Sequence, residues 1–219
     1  MKSIYLLSFI LVLASAKLAV DISSYQFPPT GLFPCLVSQQ TLTTILEILD
    51  DKGTINKYFL VPWVDSKRAK IKNIDAIIRV NDAFSPEDVA NLVANGLPEK
   101  FYGIVWLDVS NVQGRWSLDI SERIPYLENF VKALQDHGLK TGIFSSLDDW
   151  TAVMGSQGAG SDILSAVPVW YSHEGTFGSF YDFRTHGFGT WEKPKMKKYK
   201  SNTNLCDGFF VSSLSYYHN

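Results

Sequence analysis

The chain is predicted to fold as an α/β domain on a largely parallel sheet of about eight strands. Three observations carry that prediction. Apolar runs of strand length alternate with segments of helical periodicity. The helical segments carry start and stop residues where a helix needs them. Residues 102–109 are almost continuously apolar, as in a strand covered on both faces. A closed barrel and a doubly wound sheet both satisfy this pattern, and periodicity alone does not separate them.

Residues 17–22 form a first apolar strand. Residues 42–49 place Leu42, Ile45, Leu46 and Leu49 at helical spacing, which predicts a helix. Residues 58–64 and 74–80 read as strands. Ser85, Pro86, Glu87 and Asp88 then open a helix: a capping hydroxyl, a proline suited to the first turn, and acids near the positive helix end. Gly96 ends it. After the strand at 102–109, residues 120–137 carry Ile124, Leu127, Val131 and Leu134 on one stripe, and Gly138 stops that helix. A strand at 140–144 precedes a short helical piece capped by Asp148 or Asp149. Residues 155–160 read as a loop. The last short strands are expected at 167–171, within 188–199 and at 208–212.

Residues 1–16 have the form of a secretory signal peptide. Lys2 precedes an apolar run over residues 4–14, and Ala14, Ser15 and Ala16 are small enough for a peptidase. The expected mature protein is one domain over residues 17–219. It is expected to be secreted, or held in the lumen of a secretory or lysosomal-type vesicle, without stable membrane insertion after cleavage. The chain is 46% hydrophobic and 19% charged, which argues against disorder. A net charge of −2 gives no bulk attraction to nucleic acid or anionic membrane. Five lysines between residues 193 and 200 form a local exception, read as a solvated strand face. The two cysteines, Cys35 and Cys206, suggest one bridge in an oxidising compartment. The histidines and cysteines form no metal-ligand spacing, and the Gly-x-Gly elements lack a dinucleotide-binding context. No cofactor or metal is expected. Neither a phosphate loop nor a nucleophile elbow is present, and the domain is expected to be a monomer.

Two acids stand at the ends of predicted strands, Asp21 and Asp108. In an α/β barrel those ends line the active site. Trp106, Asp108 and Ser110 share one face if the strand continues, with Val109 on the other. Aromatic residues cluster near the same edges: Tyr25, Trp63, Trp106, Trp116, Trp150, Trp170, Tyr171 and Trp191. Aromatic faces beside carboxylates suit sugar rings, whose C–H groups form an apolar surface. Core packing is the alternative reading of the same residues.

These segments resemble the family 25 glycoside hydrolases, the Chalaropsis-type lysozymes, in their nematode and amoebozoan forms. The resemblance rests on Ala19-Val20-Asp21-Ile22-Ser23-Ser24-Tyr25-Gln26 and on Val105-Trp106-Leu107-Asp108-Val109. It continues through Thr141-Gly142-Ile143-Phe144-Ser145-Ser146 with Trp150, then Pro168-Val169-Trp170-Tyr171-Ser172-His173, and then Phe188-Gly189-Thr190-Trp191 with Pro194 and Tyr199. It implies an irregular TIM-like (β/α) barrel that hydrolyses the bond between N-acetylmuramic acid and N-acetylglucosamine in peptidoglycan. Tyr25, Trp106, Trp150, Trp170, Tyr171, His173, Trp191 and Tyr199 would then contact the glycan. Cys35 and Cys206 occupy the places of a disulfide in nematode-like members.

The resemblance breaks where the chemistry should be. The family's Asp-x-Glu is here Asp108-Val109-Ser110, so the proton-donating glutamate is a serine. An aspartate expected after His173 is replaced by Gly175, another falls near Val211, and a glutamine position holds Lys198. Glycoside cleavage needs a carboxylic acid to protonate the leaving oxygen, and a serine hydroxyl is far too weak an acid for this. Three readings follow: a lysozyme-like protein that binds peptidoglycan with weak or no hydrolysis; an active muramidase using a displaced acid, Glu174; and a barrel reused as a secreted interaction protein. Exposed aromatics around Asp21 and Asp108 would favour the first two, and a buried, filled mouth the third. Restoring Ser110→Glu is expected to raise hydrolysis at least roughly tenfold if the groove is intact.

Overall fold

A computed structural model describes residues 17–22, 31–175, 179–206 and 210–217. The predicted leader and Tyr25 lie outside these residues. The sheet closes into a barrel in sequence order. Its strands are β1 (Lys17–Ile22), β2 (Thr41–Leu49), β3 (Asn73–Arg79), β4 (Ile104–Asp108), β5 (Lys140–Ser146), β6 (Val169–Ser172), β7 (Met196–Leu205) and β8 (Phe210–Tyr217). Strands β1 to β7 run parallel, while β8 pairs antiparallel with both β7 and β1. That reversed strand makes the barrel irregular. The helices are α1 (Leu32–Ser38), α2 (Leu60–Arg68), α3 (Pro86–Gly96), α4 (Ile120–Asp136), α5 (Leu147–Met154), α6 (Asp162–Ser165) and α7 (Phe183–His186).

Local signals explain several of these elements. Ser85 accepts from the Asp88 backbone N–H at 3.3 Å and Pro86 takes the first turn, which starts α3 as the sequence predicts. Asp119 and Glu122 form a capping box at the start of α4, and Gly138 follows its end at φ 73°. α5 is capped by Ser146, which accepts from the Asp149 N–H at 3.0 Å; Asp148 and Asp149 occupy the first turn instead of the cap expected of them.

Two predicted elements are exchanged. Residues 42–49 are strand β2, not a helix. Their apolar spacing matches a helix by coincidence, because both faces of this strand are buried and burial on both sides erases the period-two signal. The β-branched Thr41, Thr43, Thr44, Ile45 and Ile48 suit the strand. Residues 58–64 are not a strand but lead into α2. Pro62 cannot donate to a central ladder, yet it is tolerated in the first helical turn.

Two apolar layers result. Ala19, Ile45, Ile77, Trp106, Phe144, Trp170 and Met196 fill the barrel interior. Val20, Leu46, Ile78, Val105, Leu107, Ile143 and Val169 alternate with them and pack outward under the helices. Gly142 is required by this filling, since a Cβ there would lie 2.5 Å from the Trp106 ring. Cys35 of α1 and Cys206 after β7 form a disulfide, S–S 2.03 Å, across a separation of 171 residues.

Near the interior's lower end, Asp75 accepts from the Ile104 N–H and from Trp106 Nε1, both at 2.9 Å. Burial pushes its carboxyl up to about 6, against the pull of these two donors and of Lys140 and Lys195. The folded protein therefore holds this proton more tightly than the unfolded chain does. Asp75's contribution should fall as pH rises from about 4 to about 6, a loss of roughly 3 kcal/mol for a two-unit shift. Urea unfolding across this range should show that slope in wild type, and Asp75→Asn should flatten it.

Candidate functional site

The upper end of the barrel is polar because the strand period carries the interior positions onward. Asp21, Glu47, Arg79, Asp108 and Lys198 each lie two residues beyond an interior apolar residue, so all five point into the mouth. Neither Glu47 nor Arg79 stood out in the sequence reading. Glu47 falls in the segment expected to be a helix, and Arg79 ends a strand whose other polar residues are Asn73 and Asp75. A lone arginine ending such a strand was the available signal.

These charges neutralise one another. Arg79 Nη1 donates to Asp108 Oδ2 at 2.7 Å, and Arg79 Nε donates to Glu47 Oε2 at 2.9 Å. Arg115 Nη1 reaches the same Asp108 oxygen at 3.5 Å, while its other nitrogens donate to Asp108 O and Val80 O, each at 2.6 Å. Ser110 Oγ donates to Asp108 Oδ1. Asp108 is 0% exposed. Burial alone would raise its carboxyl; the two guanidiniums and the serine outweigh burial and hold it below the usual carboxylate range. At neutral pH Asp108 is thus an ionised anchor between two arginines. Lys198 adds a further cation, its Nζ 5.5 Å from the Phe144 ring centroid.

The aromatic residues divide by depth. Trp106 and Trp170 lie inside the barrel, 5.7 Å apart edge to face, and Trp170 Nε1 donates to Ser215 Oγ at 3.1 Å. Trp150 is buried outside the barrel, stacked on Phe188 at 5.2 Å, with its Nε1 donating to Ala159 O. Tyr171 is buried on the outward face of β6. These four are core residues, and the open sugar platform expected of them is not formed by them. Trp191 is half-buried and donates from Nε1 to Val167 O at 2.8 Å. Tyr199 is half-buried, 5.9 Å from Tyr216. Glu174 is exposed just beyond β6, and Asp21 is half-buried on β1.

A second polar cluster lies outside the barrel wall. Asp182 accepts from Tyr171 Oη and from Lys197 Nζ, and lies 3.8 Å from His173 Nε2. His173 stacks on His186 at 3.7 Å. Burial and the positive neighbours push His173 down, while Lys197 and Tyr171 hold Asp182 low against its own burial. The lysine-rich segment is therefore not a uniformly solvated face, because Lys197 is 1% exposed. A Cβ on Gly175 would lie 3.9 Å from Lys197 Nζ, the same nitrogen that donates to Asp182. Asp182→Ala should lower unfolding free energy by roughly 2 kcal/mol, allowing for the half-open acid. Adding Lys197→Met should recover most of that loss in the same denaturant titration.

A closed β/α barrel with charged residues gathered at the carboxyl ends of its strands has its polar site where such barrels place one. The chain belongs to the lysozyme-like family: the family model described as Lysozyme-like protein 1 matches residues 13–199. It is similar to Probable GH family 25 lysozyme 3 of Dictyostelium discoideum, 26% identical over 93% of this chain and 42% of that protein. It is also similar to Probable GH family 25 lysozyme 4 of the same organism, 27% identical over 85% of this chain and 84% of that protein. The chain thus spans less than half of the first relative and most of the second. Among solved structures, the bacterial lysozyme from Streptomyces coelicolor superposes with a TM-score of 0.77 at 13% identity, covering 94% of this chain and 93% of that one. That similarity bears on the fold.

Proposed function

We propose that this family 25 lysozyme-like protein is secreted and binds peptidoglycan or a related glycan without efficient hydrolysis. One observation carries the reading: Asp108 is buried and ion-paired to Arg79 and Arg115, and the position two residues on is Ser110. A glycosidase needs a carboxyl group that can hold and deliver a proton. Among the described mouth residues, Asp108 is held ionised by Arg79 and Arg115 and Glu47 is paired to Arg79, which leaves Asp21, half-buried on β1, as the remaining acid. Glu174 is exposed in the segment after β6. Lys198 offers a cation at the mouth to the carboxylates that peptidoglycan carries. The disulfide and the apolar N-terminal run support passage through an oxidising secretory compartment.

A second reading, a non-enzymatic interaction protein, is favoured by the burial of Trp106, Trp150, Trp170 and Tyr171. Purified mature protein should be sedimented with insoluble peptidoglycan while muropeptide release is followed on the same sample. Sedimentation without release is the expected result. Release at an ordinary lysozyme rate overturns it, and Glu174→Gln then tests the substitute acid. No sedimentation and no release favours the interaction protein.

A further inference from the structure

The end of the barrel opposite the mouth holds a cavity of about 410 Å³. Strand periodicity places its floor: Thr43, Asp75 and Ile104 lie two residues before the interior Ile45, Ile77 and Trp106. Five lysines line it: Lys67, Lys72, Lys100, Lys140 and Lys195. They come from α2, from the segments before β3 and β4, from the start of β5, and from the residue before β7. Among the described residues, none of the five is in a salt bridge. The chain as a whole is net negative, so this concentration of cations is a local feature and not a reflection of composition; within it Lys67 Nζ lies 5.8 Å from the Trp63 ring centroid, and Lys140 and Lys195 act on Asp75.

The single acid in the lining, Asp75, is already engaged by the Ile104 N–H and Trp106 Nε1. Further polar groups are fixed on the floor. Asn73 Nδ2 donates to Thr43 Oγ1 at 3.1 Å and to Tyr217 Oη at 2.9 Å, which leaves both hydroxyl protons free to point elsewhere. Trp63 and the exposed Tyr102 supply apolar walls. The volume lies in the range of small-molecule sites.

We infer that this basic cavity is a binding site for a small multivalent oxyanion, a compound bearing two or more phosphate or sulfate groups, separate from the glycan mouth. Converging lysines neutralise such a ligand, the Thr43 and Tyr217 hydroxyls donate to its oxygens, and Trp63 and Tyr102 cover its carbon skeleton. A monovalent anion would satisfy only part of the charge. Binding should therefore weaken steeply with salt.

Isothermal titration with tripolyphosphate at low ionic strength tests this. Wild type should bind with one-to-one stoichiometry, and Lys140→Ala/Lys195→Ala should weaken binding at least about tenfold, the scale of lost charge-assisted contacts. Lys72→Ala/Lys100→Ala, on different segments, should do the same and covers the case in which the first variant folds poorly. Lys52→Ala/Lys132→Ala removes exposed lysines elsewhere and should leave affinity unchanged. Equal weakening in all three variants would mean diffuse surface attraction and overturn the site, as would absence of wild-type binding. A second arm uses phosphatidylcholine vesicles with and without a phosphoinositide. Capture by the phosphoinositide vesicles, competed by tripolyphosphate, identifies a lipid headgroup as one source of the oxyanion. Tripolyphosphate binding without capture identifies a soluble ligand. Vesicle capture without tripolyphosphate binding overturns the cavity in favour of a flat membrane contact.

Discussion

Replacing Asp108 by alanine is expected to lower the unfolding free energy by about 3–5 kcal/mol, the usual cost of leaving buried charge uncompensated. Both guanidiniums depend on this carboxylate, but unequally. Arg79 is 32% exposed and keeps Glu47, so part of its charge can turn to water. Arg115 is 3% exposed and bonded to Val80 O, so it cannot follow. The loss should be larger than for Arg79→Ala, and a urea titration of the two variants checks the order. The same pairing fixes an acid dependence. Asp108's folded carboxyl lies below its ordinary value of 3.8. The unfolded chain therefore takes up the proton first as pH falls. The stabilisation is complete above about pH 4 and is lost below it, as pH falls through the folded value. Asp108→Ala should flatten this acid limb while leaving the opposite slope from Asp75 between about pH 4 and 6 in place.

The second large effect concerns hydrolysis. From the sequence alone, Ser110→Glu is expected to gain at least roughly tenfold, because a neighbouring Asp108 charge would keep the new glutamate protonated. The structure reverses that reasoning. Asp108's charge is already matched by Arg79 and Arg115, and Ser110 Oγ lies in direct contact with Asp108 Oδ1. A glutamate there enters a site with two guanidiniums, is favoured in its ionised form and remains a poor acid. Ser110→Glu alone should therefore stay within a few-fold of wild type, against the 10²–10⁴-fold worth of a working general acid. Ser110→Glu/Arg79→Gln is the variant expected to gain, by at least about tenfold, because it leaves Glu47 and Asp108 to oppose ionisation at 110. Muropeptide release from the same peptidoglycan preparation compares them. A full gain in the single variant would show that the guanidiniums do not control this position.

The departures from the resembled motif were legible without coordinates. Ser110 and Gly175 stand in plain view once Asp108 and His173 are placed at strand ends. The ion pairs around Asp108 were not. Arg79 and Asp108 are 29 residues apart, and Arg79 and Glu47 are 32 apart. Those pairs exist because β2, β3 and β4 lie side by side, with Arg79 opposite Asp108 and Glu47 opposite Ile77, two residues before Arg79. Reading residues 42–49 as a helix removed Glu47 from that neighbourhood altogether. The aromatic residues failed for a related reason, because a tryptophan beside polar residues reads the same whether it faces a groove or a core.

What the sequence determined by itself is local. Ser85 and Pro86 start α3, the capping box starts α4 and Gly138 follows its end, because capping and left-handed turns are decided within a few residues of backbone. Alternation of strand and helix, and a single even pair of cysteines, follow from composition and period in the same way. The resemblance implied a barrel, and the sheet closes into one; the reversed β8, the Glu47–Arg79–Asp108–Arg115 network and the lysine-lined cavity at the opposite end were decided only by tertiary structure. Each depends on which strands become neighbours, and the Coulomb energy between two charges is set by their distance in space rather than along the chain.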